Sequence, residues 1–325
     1  MKTVSLVIYE EAILSAIAGV LDVFEGANAL SVQAGKEPPF KVELVSEKVK
    51  HIQLNVPALF FCYKSMADVK ETDLVIVPAF HGRPDQVLQK NAGIAPWLSE
   101  MRNLGAEVAS LCLGSYFLAE AGLLNGRTCT SHWQAIPDMQ QRYPGAKVLS
   151  DKVITDEDGV YTSGGAFSSL NLVLYMVEKF CNKDIGVMLS KMFSIDIDRV
   201  NQAHFMVFQG QRRHEDDQIL RAQVFIEENY HLPISVEQIA EQTSMSKRNF
   251  IRRFKNATNN TPLEYLQRVK IESAKKALES NAQNISTLMY DVGYNDLKTF
   301  RSVFKKVTGL TPQEYRKKYC RTAVA

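Results

Sequence analysis

An open α/β sheet followed by a wholly helical region is the fold class this sequence predicts, and three observations predict it. The first 180 or so residues alternate short β-rich apolar runs with helical patterns, as a mainly parallel sheet covered by helices requires. After a polar run at 209–217, Gln-Gly-Gln-Arg-Arg-His-Glu-Asp-Asp, the pattern is helical almost without interruption. That helical part also repeats itself at an offset of 50 residues: Phe250/Phe300, Phe254/Phe304, Lys255/Lys305, Thr258/Thr308, Thr261/Thr311, Pro262/Pro312, Glu264/Glu314 and Tyr265/Tyr315 all keep the same separation.

The elements follow in order. Strands are expected over 4–9, 41–46, 74–77, 107–111 and 160–163, with helices over 16–30 and 115–121. The N-terminal apolar run carries one positive charge and is stopped by Glu10 and Glu11, so it reads as a first strand and not as a signal peptide. Ligands of such a sheet sit at the carboxyl ends of its strands. From about Lys183 the pattern becomes polar and irregular, which suggests a domain over 1–185, a linker region over 186–216 and a second domain over 217–320. Helices are expected there at 217–229, 235–242, 246–257, 262–279, 284–291, 296–307 and 312–319. Ser235 with Gln238 forms a capping box, and Thr261-Pro262-Leu263-Glu264 and Thr311-Pro312-Gln313-Glu314 each order a capping threonine, a first-turn proline and a reciprocating glutamate.

Charge divides along the same line. The net charge is only +2, yet residues 1–215 carry 20 Lys/Arg against 24 Asp/Glu and residues 216–325 carry 18 against 12. A basic small domain behind an acidic larger one suits a polyanion-binding tail on a sensor or enzyme body. The five cysteines, Cys62, Cys112, Cys129, Cys181 and Cys320, are odd in number and widely spaced, which argues against a disulfide framework or a zinc site. No metal or cofactor is expected. The longest charge-free stretch, 159–177, holds three glycines, three serines, a threonine and an asparagine and would sit badly in lipid, so a cytoplasmic protein without a membrane span is expected.

Each repeat contains a short helix, a tight turn and a second helix, which is helix-turn-helix spacing. The second helix of such a unit lies in the major groove of DNA, with an apolar inward face and a polar or basic outward one. Phe250 and Phe254 share a face, and Arg248 and Arg252 fall nearly opposite; Phe300 and Phe304 face inward while Lys298 and Ser302 point away. The expected DNA-facing set is Lys247, Arg248, Ile251, Arg252 and Lys255 in the first copy, and Leu297, Lys298, Arg301, Ser302 and Lys305 in the second. Guanidinium forks match the two acceptors of guanine, whereas lysines and hydroxyls suit phosphates. A single basic face is commonly just solvated; two in register, each with a turn and caps, point to double-stranded DNA. No aromatic stacking platform accompanies them, which disfavours RNA.

These residues resemble the AraC/XylS-type DNA-binding domain. Ile239-Ala240, Ser246-x3-Phe250-x3-Phe254, Gly293-Tyr294, Phe300-x3-Phe304-Lys305, Gly309-Leu310-Thr311-Pro312 and Tyr315-Arg316 carry the likeness over about 217–319. It implies two helix-turn-helix units, joined by the long helix at 262–279, that read successive major grooves. The sequence departs from the family at Leu288-Met289, usually Ile-Ala, and at Arg253, commonly apolar.

In the first domain, residues 108–118 read as strand, sharp turn and helix with Cys112 at the turn. That is the geometry of a nucleophile elbow, near a helix N-terminus that favours thiolate. His132, in Thr130-Ser131-His132-Trp133, could lie beside it as base or hydrogen-bond partner. Three roles stand open for Cys112: nucleophile, redox or ligand contact in a sensor pocket, or a small residue that packs well. His132 is a pocket residue or a core histidine, His81 is a weaker pocket candidate, and Ser163-Gly164-Gly165 is a close turn that edges the same place. Trp133, Phe80 and Phe167 are wall or core.

The run from Cys112-x-Gly114 through Leu118-Ala119-Glu120-Ala121-Gly122-Leu123-Leu124-x-Gly126-Arg127 to His132-Trp133 resembles the PfpI-type, class I amidotransferase-like domain of GlxA-type regulators, over about 3–180. The likeness implies a flavodoxin-like sheet, frequent dimers and a pocket lined by Cys112 and His132; with Gly114, His81 and Ser163 these make up the expected ligand-pocket set. Relatives that do chemistry support the cysteine with an acid from the first strand-helix segment. Here Ala16 stands at that position, and Pro78-Ala79-Phe80-His81-Gly82 replaces a Pro-Gly-Gly loop, which weakens catalysis. The combined expectation is a homodimeric, DNA-binding transcriptional regulator controlled by an unknown small-molecule effector. The alternative is a cysteine-dependent amidase or carbonyl-processing enzyme that carries a DNA-binding domain.

Overall fold

The computed structural model describes residues 1–197, 201–212, 214–280 and 284–320. They form two compact units that divide between Gln202 and Ala203.

The first unit runs β1 (Lys2–Val7), α1 (Leu14–Gln33), β2 (Phe40–Ser46), β3 (Lys50–Gln53), β4 (Leu59–Cys62), β5 (Lys64–Ser65), β6 (Leu74–Val77), α2 (Pro84–Lys90), α3 (Ile94–Asn103), β7 (Glu107–Ser110), α4 (Ser115–Glu120), β8 (Thr128–Cys129), α5 (Ile136–Arg142), β9 (Lys147–Val148), β10 (Ile154–Glu157), β11 (Val160–Ser163), α6 (Ser169–Phe180) and α7 (Lys183–Met192). Seven strands make one sheet in the order β10-β11-β7-β6-β1-β2-β5. Every neighbour pair in it is parallel except β10 with β11. Without the edge strands β5 and β10, the chain order of the remaining five is 2-1-3-4-5, the flavodoxin-like arrangement, in which the winding reverses between β1 and β6. β6, Leu-Val-Ile-Val, is buried at all four residues, as a central strand covered on both faces must be.

α1 buries Ile17, Val20, Val23, Phe24 and Ala27 along one stripe and packs against α6 and α7. By length and composition it could cross a bilayer, but this stripe belongs to the core of the unit. The chain expected to turn irregular after Lys183 instead forms α7, whose first turn is capped by Asn182 Oδ1 accepting from the Asp184 N–H at 2.6 Å. The segment read as a linker, 186–216, is therefore divided: most of α7 packs in the first unit, and residues from Ala203 fold with the second. Charged residues on the exposed face of α7 disguise its short apolar stripe.

The second unit holds α8 (Asp217–Asn229), α9 (Val236–Gln242), α10 (Lys247–Thr258), α11 (Pro262–Ser280), α12 (Ile285–Asp291), α13 (Leu297–Thr308) and α14 (Pro312–Tyr319). It has two cores. Ile219, Ile226, Ile239, Phe250, Phe254 and Tyr265 close around one; Ile271, Leu278, Leu288, Phe300, Phe304 and Tyr315 close around the other. α11 lends its N-terminal half to the first and its C-terminal half to the second, so one helix carries both copies of the repeat. The capping boxes predicted at Ser235 and Thr311 are formed, and Thr261 and Glu264 exchange the same bonds.

Candidate functional site: two helix-turn-helix faces and a closed cysteine elbow

In the second unit, α9 and α10 are joined through Thr243–Ser246, with Ser244 at φ 54°, and α12 and α13 through a turn one residue longer, with Gly293 at φ 76°. Asp296 caps α13 by accepting from the Thr299 N–H at 2.7 Å. Phe250, Phe254, Phe300 and Phe304 are fully buried, which leaves the opposite faces outward. Lys247, Arg248, Arg252 and Lys255 are exposed on α10, as are Lys298, Arg301, Ser302 and Lys305 on α13; Ile251 is half-buried. α10 carries five Lys/Arg and no acid, and α13 carries four and none. Placed over a groove, such a face supplies fixed positive charge to phosphates and side-chain donors to base edges.

Three details were not legible in the sequence. Leu297, expected to face DNA, is half-buried against the second core, because it precedes Phe300 by three residues and shares its stripe. Lys247, at the matching place in α10, reaches outward and pairs with Glu237 of α9. Arg253 forms a bidentate pair with Asp216 at 2.7 and 3.0 Å and also donates to Gln218 Oε1 at 2.7 Å. Asp216 caps α8 as well, accepting from the Ile219 N–H at 3.2 Å. Burial works against the Asp216 carboxylate, but the Arg253 guanidinium outweighs it and holds the carboxyl below its ordinary range.

In the first unit Cys112 follows β7 with φ 55°, the left-handed conformation of a sharp elbow, and is only 3% exposed. Its N–H donates to Ser163 Oγ at 3.3 Å, and its carbonyl accepts from Ser131 Oγ at 3.1 Å. Gly114 sits against the end of β6; a Cβ there would fall 2.5 Å from the Val77 carbonyl oxygen. His132 follows Ser131 and lies over Gly165, where a Cβ would meet its Cδ2 at 2.2 Å. The His132 Nδ1 accepts from the Gln134 N–H at 3.2 Å, and burial pushes the imidazole pKa down, so the ring is neutral near pH 7. Cys112, Gly114, Ser163 and His132 thus lie on adjoining segments. The side chain of His81 is exposed, and the backbone N–H of that residue donates to the Glu11 carbonyl at 2.9 Å.

The crevice where the sheet reverses is filled. The loops after β1 and β6 are zipped by the Ala12–Phe80 bridge and by the Ile13 N–H donating to the Ala79 carbonyl at 2.8 Å. The Tyr9 hydroxyl donates to the Pro78 carbonyl at 2.6 Å, and Tyr9 and Phe80 meet Phe117 edge-on at 5.3 and 5.9 Å. Phe80 is therefore core, whereas Phe167 is 68% exposed and Trp133 is half-buried. Burial, then Glu11 and Cys112, raise the Tyr9 pKa far above its ordinary value and keep the phenol protonated. Ala16 offers no acid, and Glu11 is held by Lys90 at 2.7 Å and Asn91 at 3.0 Å. Among the described residues no group of three or more His, Cys, Asp or Glu is placed to hold a metal. A groove of about 320 Å³ borders Phe117 and is lined by residues that also include Asp85, Leu88, Glu120 and Arg142.

A doubly wound α/β unit with a cysteine elbow, followed by two helix-turn-helix copies on one connecting helix, defines the class of protein. The DJ-1/PfpI family model matches residues 19–179 and a helix-turn-helix domain model matches residues 239–318. The chain thus carries a DJ-1/PfpI domain followed by an AraC-type helix-turn-helix domain. The HTH-type transcriptional regulator GbdR of Pseudomonas aeruginosa is 23% identical over 224 residues, which cover 68% of this chain and 60% of that protein, so the match spans less than two thirds of it. The HTH-type transcriptional regulator GlxA of Rhizobium meliloti is 22% identical over 222 residues, covering 68% of each. A solved AraC family transcriptional regulator from Pseudomonas putida superposes with a TM-score of 0.52 at 18% identity, covering 59% of this chain and all of that one, a likeness of fold.

Proposed function

We propose that this protein is a sequence-specific DNA-binding transcriptional regulator, cytoplasmic and homodimeric, whose first unit responds to a small molecule. One observation carries the reading: two recognition helices are built on the same buried phenylalanine pair, and each presents an acid-free basic face to solvent. The regulators GbdR and GlxA, matched across most of this chain, support it. The effector acts by population shift, binding one arrangement of the protein better than another and so changing its affinity for an operator. Sensing is a better account of the elbow than catalysis. Cys112 is nearly inaccessible, and the carboxylate of Glu11 is engaged by Lys90 and Asn91.

The test is fluorescence anisotropy of the full chain on DNA from upstream of its own and neighbouring genes, against scrambled DNA, over a salt series. One segment should bind at least 100-fold tighter than the scrambled control. Arg252→Ala should weaken that binding about 5- to 100-fold if the guanidinium reads a base, or lower the salt slope by about 0.9 if it meets a phosphate. Equal weak binding to every DNA at every salt concentration would overturn the reading.

A further inference from the structure

Gln202, the last residue of the first unit, is 1% exposed. A carboxamide buried so deeply needs partners at both ends, and this one has them. Its Nε2 donates to the Ser131 carbonyl at 3.0 Å and to Thr130 Oγ1 at 3.2 Å, and its Oε1 accepts from the Gly165 N–H at 3.3 Å. Thr130 Oγ1 is aimed at it because the threonine hydroxyl is engaged with the Leu149 and Lys152 carbonyls at 2.9 and 3.0 Å. Gly164 makes room for it: a Cβ there would fall 2.6 Å from Oε1. The subsite shares its walls with the elbow, since Ser131 also holds the Cys112 carbonyl and Gly165 lies under His132.

The next residue begins the second unit. Ala203–Phe205 packs against α13, the Met206 carbonyl accepts from the buried Lys275, and the Phe208 N–H donates to Glu272 at 3.0 Å. Each unit thus holds its own end of the connection, Gln202 in the first and Ala203–Phe208 in the second.

We propose that the Gln202 carboxamide is a built-in occupant of a ligand subsite beside the elbow, that the effector bears a primary carboxamide and displaces it, and that displacement frees the chain where it enters the DNA-binding unit. The inference rests on the small-molecule reading above and names the chemistry of that ligand. One acceptor and one pair of N–H donors in a plane match the Gly165 N–H, the Ser131 carbonyl and Thr130. A tethered occupant competes at high effective concentration, so removing it should raise apparent ligand affinity.

The experiment uses the full chain, with propionamide as probe and N,N-dimethylpropionamide, which lacks N–H donors, as control, both titrated by NMR. Gln202→Ala should bind propionamide at least 10-fold tighter than the parent and gain nothing for the dimethyl compound. Hydrogen exchange over 202–206 should rise at least 10-fold while the sheet stays protected. Gly164→Ala keeps the glutamine but places a methyl group against its Oε1; it should release 202–206 equally without any gain in propionamide binding, and it serves if Gln202→Ala does not fold. Unchanged exchange in both variants, or no propionamide gain in a folded Gln202→Ala, overturns the proposal. If a metabolite without an amide shifts operator affinity equally in the parent and both variants, sensing stands and the role of Gln202 falls.

Discussion

In the first helix-turn-helix copy the recognition helix is clamped from behind by the Arg253–Asp216 ion pair; in the second, the residue 50 positions on is Val303, packed against the core, and the buried Lys270 pins the turn by donating to the Gly293 carbonyl at 2.7 Å. The interiors match far more closely. Thr258 Oγ1 donates to the Phe254 carbonyl at 2.7 Å and Thr308 Oγ1 to that of Phe304 at 2.8 Å; the Tyr265 and Tyr315 hydroxyls donate to Glu227 and Glu279, each at 2.6 Å. Both helices end in a left-handed residue, Asn259 or Gly309. Core chemistry is therefore what the repeat preserves, while each copy is fastened to its surroundings differently.

The sharpest test of that equivalence is the paired truncation of Phe254→Ala and Phe304→Ala. Both rings are fully buried, so each variant should lose about 3–5 kcal/mol in denaturant unfolding of the second unit. Costs that differ by more than about 2 kcal/mol would break the equivalence.

The turns should separate the copies. At Gly293 the φ is positive and a Cβ would lie 2.6 Å from the His231 carbonyl oxygen, so Gly293→Ala should cost about 1–3 kcal/mol. Ser244→Gly, at the matching left-handed position, should stay within about 0.5 kcal/mol of the parent, since relief of strain offsets the entropy of glycine. Thermal unfolding reads both.

Arg253→Met should cost about 1–2 kcal/mol, reduced from the buried-pair range because the two side chains keep 33% and 21% of their exposure. The carboxyl of Asp216 is depressed in the fold. Its contribution is therefore complete above the ordinary carboxylate pKa and is lost as pH falls through the lower, folded value. The parent should lose stability below about pH 4 more steeply than Arg253→Met, which acid unfolding curves would reveal. An identical acid limb in both proteins argues that the clamp contributes nothing.

The smallest effects come from the tyrosines. Tyr315→Phe should lower stability by about 1 kcal/mol, and Tyr265→Phe by somewhat more, because Gln223 also donates to the Tyr265 hydroxyl at 3.0 Å. Denaturation midpoints would sharpen the comparison, and the reverse order would show that the Gln223 bond is dispensable.

Legibility in the sequence followed the range of the contacts. All seven helices of the second unit were expected within one or two residues, since three- and four-residue periodicity and capping residues are local signals. The five expected strands form; β5, β8 and β9, of two residues each, are too short for a period to register, and β3 (Lys-His-Ile-Gln) and β10 (Ile-Thr-Asp-Glu) hold a single apolar residue each. Strand, turn and helix around Cys112 were readable for the same local reason. Not readable were Gln202 against Ser131, 71 residues away, or Arg253 against Asp216, 37 away. At Leu297 the sequence left two faces open, since an apolar residue in the first turn of a recognition helix can serve either, and packing sets it half-buried against the second core.

The sequence by itself determined the two-part architecture, the doubled helix-turn-helix and the basic faces of α10 and α13, because a repeat, a period and a charge pattern are properties of order along the chain. Tertiary structure alone decided that the crevice at the sheet reversal is plugged by Tyr9, Phe80 and Phe117, that Glu11 belongs to Lys90, and that the Gln202 carboxamide meets Ser131 and Thr130. Each of these depends on which distant segments meet, and a buried polar group takes whichever partner the packing brings within hydrogen-bond reach.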